Sequence, residues 1–136
     1  METARRAVLT TIGRDGTPRP VPICFVLDPS RPNLFTPLDE KPKTVGDVRA
    51  LARVRDITAD PRVSVFVDRW DEDWTRLAWV RLGGSADLLE PDQPAHAGAI
   101  AALRAKYEQY RTQHLEALPV ITVRIERVTA WGRLEP

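Results

Sequence analysis

Apolar and polar positions alternate with a period of two over most of the chain, broken by two stretches with helical spacing. Ala7 to Ile12 reads as a strand, Gly13-Arg14-Asp15-Gly16 as a hairpin turn, and Pro18 to Leu27 as the return strand. A turn over Asp28–Asn33 leads to a short strand, Leu34 to Thr36. From Thr44 to about Ile57, Val45, Val48, Leu51, Ala52 and Ile57 recur at helical spacing, with Arg49, Arg53 and Asp56 on the other side. Asp60-Pro61 ends that amphipathic helix, and Val63, Val65 and Val67 then alternate with Arg62, Ser64 and Asp68, with Phe66 the apolar exception. Leu77 to Leu89 is a long strand interrupted by Gly83-Gly84, a pair that predicts a bulge; Trp79 and Arg81 share one of its faces. A second helix carries Asp92 as cap, Pro94 in its first turn, and a stripe of His96, Ala99, Ile100, Leu103, Tyr107 and Tyr110. The last strand runs from Val120 to Val128, with Trp131 and Gly132 extending it.

This order predicts a mainly β fold: a β-barrel of six mostly antiparallel strands with two α-helices, one covering an opening. The 136 residues fit a single domain, large enough to bury a core without disulfides or metal. Its one cysteine, Cys24, sits in an apolar run and has only His96 and His114 for company, which excludes an intramolecular disulfide and gives no zinc spacing. With no apolar run of membrane-spanning length and no signal-peptide core, the expected location is cytoplasmic and no membrane partner is expected. A net charge of +1 supplies no long-range field, so nucleic acid is not an expected partner and any basic patch must be local.

One local patch stands out. Of 20 basic residues only three are lysines, yet Lys41 and Lys43 stand two apart in Thr36-Pro37-Leu38-Asp39-Glu40-Lys41-Pro42-Lys43-Thr44. Thr44 is a candidate helix cap, with Asp47 completing a capping-box-like pair. A phosphate at such a corner would meet free N–H groups, the positive end of the helix dipole and two ammonium groups; a solvated basic turn is the alternative. Pro18, Pro20 and Pro22 at alternate positions leave one edge of their strand unable to donate a ladder. Such an edge suits a planar heterocycle, or simply blocks aggregation. The loop Arg69–Arg76 holds two tryptophans amid charges, as a binding rim, a subunit contact or a lid over the domain's own core.

No dinucleotide fingerprint, phosphate-loop lysine motif or nucleophile–histidine arrangement is present, and Asp71, Glu72 and Asp73 read as a solvated loop rather than a metal site. His96 on the helical stripe reads as packing. Chemistry, if any, would come from a cofactor.

The segments Val8-Leu9-Thr10-Thr11-Ile12, Asp15-Gly16-Thr17-Pro18, Val21-Pro22-Ile23, Leu34-Phe35-Thr36 and Asp39-Glu40-Lys41-Pro42-Lys43 resemble the pyridoxamine 5′-phosphate oxidase-like, FMN-binding split barrels. Ala59-Asp60-Pro61-Arg62-Val63-Ser64-Val65, Asp73-Trp74-Thr75-Arg76-Leu77-Ala78-Trp79-Val80-Arg81 and Gly84-Ser85-Ala86 extend the resemblance along nearly the whole chain, most closely to the actinobacterial branch that uses the deazaflavin coenzyme F420. The resemblance implies an oxidoreductase acting on a small molecule, and a homodimer with cofactor sites at the subunit interface. It further implies that Lys41, Lys43 and Thr44, with Thr36 at the head of the corner, hold the cofactor phosphate, while the backbone of Val21, Pro22 and Ile23 faces the ring. Arg69, Trp79 and Arg81 would meet the cofactor's acidic tail or the partner subunit. An FMN-dependent enzyme of the same fold and a non-catalytic cofactor-binding protein are the alternatives. The chain departs from the family pattern in its short start, where relatives carry more residues, often a helix, before the first strand.

Overall fold

A computed structural model describes residues 1–38 and 47–133 and arranges them as one curled, seven-stranded antiparallel sheet with two α-helices. The strands are β1 (Ala7–Ile12), β2 (Pro18–Ile23), β3 (Val26–Leu27), β4 (Asn33–Pro37), β5 (Arg62–Arg69), β6 (Ala78–Leu89) and β7 (Val120–Trp131), and the helices α1 (Ala52–Ala59) and α2 (Ala95–Lys106). Their spatial order is β2-β1-β5-β6-β7-β4-β3. Because β2 and β3 follow each other in sequence yet lie at opposite ends of the order, the sheet closes on itself as a split barrel.

The seventh strand arises because the predicted strand Pro18–Leu27 is broken at Cys24-Phe25. The break costs backbone hydrogen bonds, and Tyr107 at the end of α2 replaces them. Its buried hydroxyl accepts from the Phe25 N–H at 3.0 Å and lies 3.1 Å from the Phe25 carbonyl and 2.9 Å from the Arg5 carbonyl. Since a strand alone cannot leave buried N–H groups unpaired, this side chain is what permits the turn from one end of the sheet to the other.

Alternation holds as expected in β1 and β5, whose Ala7, Leu9, Val63, Val65 and Val67 face a core shared with Phe25, Leu34, Leu38, Val54, Ile57, Leu82, Ile121 and Val123. A second cluster lies between the sheet's other side and α2, where Ala99, Ile100, Leu103, Tyr107 and Tyr110 meet Phe35, Leu89 and Val120. His96 is buried there with its Nε2 hydrogen-bonded to the Leu118 carbonyl at 2.7 Å, a packing role.

Helical expectations change at several points: α2 begins at Ala95 with Pro94, not Asp92, in the cap position and ends at Lys106, leaving Tyr110 of the expected stripe in a following 3-10 turn, Glu108–Thr112. The start of the predicted helix at Thr44, like the lysine corner, lies outside the described residues. From Asp47 onward it divides into a 3-10 turn, Val48–Ala50, capped by the Asp47 side chain on the Arg49 N–H, and α1, with Leu51 in extended backbone between them. Asp56, expected on the solvent side, is largely covered because α1 lies against β1: its carboxylate accepts from Thr11 Oγ1 at 2.8 Å and pairs with Arg19 Nε at 3.0 Å.

The Gly83-Gly84 expectation holds with a refinement. The register shifts there from Gly83 opposite Arg127 to Gly84 opposite Ile125, so the extra residue is Glu126 of β7. A Cβ on Gly84 would lie 2.0 Å from the Arg124 carbonyl oxygen, which explains the residue type.

Candidate functional site

The hairpin β1–β2 and the helix α1 enclose a cleft of about 450 Å³ on the inner side of β2. Sequence explains its walls. In β2 the residues Arg19, Val21 and Ile23 stand opposite Thr11, Leu9 and Ala7 and point inward, while Pro18, Pro20 and Pro22 stand opposite Ile12, Thr10 and Val8. Prolines have no N–H, so the three intervening residues make the ladder to β1, and the outer edge of β2, at the end of the sheet order, stays without donors there. Facing this wall, the first turns of α1 contribute Ala52, Arg53 and Arg55. Arg19 and Arg55 also line an adjoining hollow of about 210 Å³ with Arg14. The result is a cleft with an apolar strip at Val21 and Leu51 and a cationic mouth of arginines, in which the only lining carboxylate among the described residues, Asp56, is held by Thr11 and Arg19. That donor set fits a ligand with a flat apolar body and an anionic group.

Lys41, Lys43 and Thr44 lie outside the described residues; the chain re-enters at Asp47 and Val48, just before the residues that line this cleft. Val21 is half-buried and lines the cleft, whereas Ile23 is buried in the core and Pro22 is exposed on the outer face, so the three share a backbone edge but not a side-chain surface. Thr36 is buried on β4 opposite Ile121, on the face it shares with the core residues Leu34 and Leu38.

Trp79 and Arg81 do share a face, the outer one. Trp79 stacks on Phe66 with centroids 5.9 Å apart, and the Arg81 guanidinium lies 5.4 Å from the Trp79 ring. The register Pro22–Val8–Phe66–Arg81 forms one continuous row across β2, β1, β5 and β6. Thus Pro22 and Arg81 stand on the same surface, three strand spacings or about 14 Å apart. Arg69 is employed otherwise: its Nε donates to the Arg76 carbonyl at 2.9 Å and its Nη2 to the Arg133 carbonyl, tying the β5–β6 loop to the end of β7.

That loop is no lid over the core. Trp70 and Trp74 are 64% and 69% exposed, and its carboxylates serve the turn itself: Asp73 accepts from the Thr75 N–H and hydroxyl, Asp71 pairs with Arg76 and Glu72 accepts from Trp70 Nε1.

Arg53, Arg55 and the Thr11–Asp56–Arg19 bracket were not singled out from sequence as site residues. The alternation of arginine with proline in β2 was the available signal, since it turns Arg19 away from the prolines and toward the helix.

A family model described as pyridoxamine 5′-phosphate oxidase matches residues 1–132. No curated protein matches the sequence. Among solved structures, the chain is similar to a conserved hypothetical protein of Mycobacterium tuberculosis, with a TM-score of 0.73, 18% identity, and coverage of 96% of this chain and 79% of the other. It is similar to a heme-binding protein of Mycobacterium smegmatis (TM-score 0.72, 20% identity), covering 98% of this chain but spanning only 51% of that longer one. A FAD-binding protein of Mesorhizobium loti gives a TM-score of 0.65 and 24% identity over 95% of this chain and 86% of the other. At these identities the structures establish the fold.

Proposed function

The chain belongs to the pyridoxamine 5′-phosphate oxidase family, and we propose that it is a deazaflavin (F420)-dependent oxidoreductase, transferring a hydride between the reduced cofactor and a small organic substrate. The observation that carries this reading is the cleft between β2 and α1, with its apolar strip, its arginine mouth and its place directly after the lysine corner in the chain. When bound, a deazaflavin supplies a hydride at C5 of its ring. Arg19, Arg53 and Arg55, together with Lys41, Lys43 and Thr44, would bind and orient its phosphate end, whereas Thr36, buried on the core side of β4, would act only by leading the chain into that corner. The backbone of Val21, Pro22 and Ile23, with no proline N–H to seek a strand partner, would leave the ring an edge to lie against. The protein's contribution is then positioning and exclusion of water. The outer-face pair Trp79 and Arg81 would meet a second copy in a homodimer, or the acidic tail of the cofactor.

FMN is the second reading for the same cleft, favoured by the similarity to a FAD-binding protein. The similarity to a heme-binding protein favours a third, non-catalytic binding. Purification from a host without the deazaflavin separates the first two: a yellow protein carries FMN, and a colourless one that quenches added deazaflavin fluorescence carries the other. Replacing Lys41 and Lys43 with Ala should weaken cofactor binding at least about tenfold, since each charge-assisted contact contributes roughly 1.5–3 kcal/mol. The melting temperature of the cofactor-free protein should stay unchanged if the two charges serve binding rather than folding, since single surface charges contribute little to stability. Unchanged affinity for both cofactors would remove the phosphate assignment.

A further inference from the structure

A second cationic hollow lies on the opposite face of the sheet. It has a volume of about 350 Å³ and is lined by Ser64, Arg81, Gly83, Arg127 and Thr129, with Val63 beneath. Two adjacent rungs build it: Phe66, Arg81 and Thr129 on one, Ser64, Gly83 and Arg127 on the next. Gly83 forms the floor. Without a side chain it leaves a space over which the Arg127 guanidinium extends, and a Cβ there would lie 3.5 Å from its Nε and Nη2.

Arg127 reaches this face only because of the bulge. Ile121, Val123 and Ile125 point inward, so strict alternation would turn Arg127 inward as well. The extra residue Glu126 shifts the phase by one and delivers Arg127 and Thr129 to the outer face, beside Arg81. Like charges on neighbouring strand positions repel, and neither guanidinium is within ion-pair distance of a carboxylate among the described residues. Glu126 itself pairs with Arg124 at 2.9 Å, and Asp68 stands opposite Trp79 on the far side of Arg81. Two arginines, two hydroxyls and a glycine floor constitute a preformed cradle for an oxyanion.

We propose that Ser64, Arg81, Gly83, Arg127 and Thr129 form an oxyanion-binding cup that takes the phosphate or carboxylate group of a small molecule. The cup is separate from the cleft beside α1. Thr10 and Ser64 share the outer face and Thr11 the inner one, so the sheet itself stands between the two sites, and Arg81, which would otherwise meet the partner subunit or the cofactor's acidic tail, is the one residue that both assignments use.

The test uses the arginine side-chain N–H resonances of the full chain carrying Lys41→Ala and Lys43→Ala, titrated with inorganic phosphate and, separately, with succinate. The Arg81 and Arg127 Nε–H signals should move in one saturable step while that of Arg62, paired with Asp60, follows only ionic strength. Arg127→Gln should weaken the step about tenfold by removing a bidentate contact, and Arg127→Lys by less. Gly83→Ala, sterically admissible at 3.5 Å, should weaken it by filling the floor while the fold persists. Tighter binding of phosphate or of succinate identifies which oxyanion the cup prefers. The proposal is overturned if neither anion gives a saturable shift at about 30 mM, well above the roughly millimolar affinity expected of a few charge-assisted contacts. An unchanged response in both Arg127→Gln and Gly83→Ala would overturn it equally.

Discussion

Single side chains carry several of the joints in this fold, and Tyr107 is the clearest. Replacing it with Phe leaves the Phe25 N–H without its acceptor at a buried break between strands. An orphaned buried donor costs about 1–3 kcal/mol, so Tyr107→Phe should lower the melting temperature measurably even though it removes one oxygen. Equal melting temperatures would mean that water replaces the hydroxyl. Beside it, the Lys106 ammonium lies 3.8 Å from the centre of the Phe25 ring, and burial, reinforced by the nearby Arg5, pulls its pKa down to about 8. In the unfolded chain a lysine titrates near about 10.4, so between these values the unfolded state holds more protons and stability rises with pH. Lys106→Met should therefore be more stable than the native chain at pH 7, with the advantage shrinking by pH 10. Thermal unfolding of both at the two pH values checks the sign. Glu116 presents the opposite case: two hydrogen bonds from Arg104 hold its carboxyl down at about 2. The contribution of this pair is complete above the ordinary glutamate range and disappears as pH falls toward 2. A carboxyl NMR titration should find Glu116 still ionised where exposed glutamates have taken up protons. Tyr107 was legible in the sequence as a core residue of a helical stripe; its hydroxyl's partner, 82 residues away, was not.

At the level of elements, what alternation could reveal it did reveal, and what depended on partners it did not. The valines of β5 and the hydrophobic stripe of α2 bury the faces their spacing predicts. The break after Ile23 escaped because Cys24 and Phe25 are themselves good strand residues; only Tyr107, arriving from α2, makes leaving the strand affordable. Leu51 escaped for a similar reason, being helix-compatible in isolation but extended between two helical turns. The bulge was legible from its glycines, yet its consequence, the reversal that brings Arg127 to Arg81, requires knowing that the extra residue belongs to β7. The two glycines should respond differently to alanine. Gly84→Ala would press a methyl to 2.0 Å from a backbone oxygen that belongs to a paired strand, so it should cost about 3 kcal/mol or more. Gly83→Ala meets only the end of a flexible arginine and should fold normally. Denaturant unfolding of the pair tests the assignment, and equal stabilities would refute the register at this bulge.

For the molecule as a whole, the surface around the end of β7 is unusual for a chain that stands alone. Trp131 on the outer face is 53% exposed and Val128, opposite Leu82 on the other face, is 64% exposed; Trp70 and Trp74 of the β5–β6 loop are 64% and 69% exposed, and Val8 adds to the outer apolar surface further along the sheet. The strand edge there is also uncovered: β4 pairs with β7 only as far as Arg124, and beyond Ile125, which is bonded to Pro32, residues 126–131 have no neighbour on that side among those described. An exposed edge bearing apolar side chains invites pairing with another chain, unlike the edge of β2, where proline forbids it. A second copy is the occupant always present at the concentration of the first, and a two-fold pair would cover the same patch on both partners. No helix among the described residues is long and apolar enough to cross a membrane. We therefore expect a homodimer that uses the β7 end of the sheet, and the expectation is specific enough to test. Sedimentation at micromolar concentration should find the native chain at twice its 15.3 kDa mass. Val128→Glu would place a charge on each side of the two-fold and should yield the monomer, with little loss of fold because the position is already exposed to water. A native chain that sediments as a monomer, or a Val128→Glu variant that remains dimeric, would assign the exposed tryptophans and valine to another role.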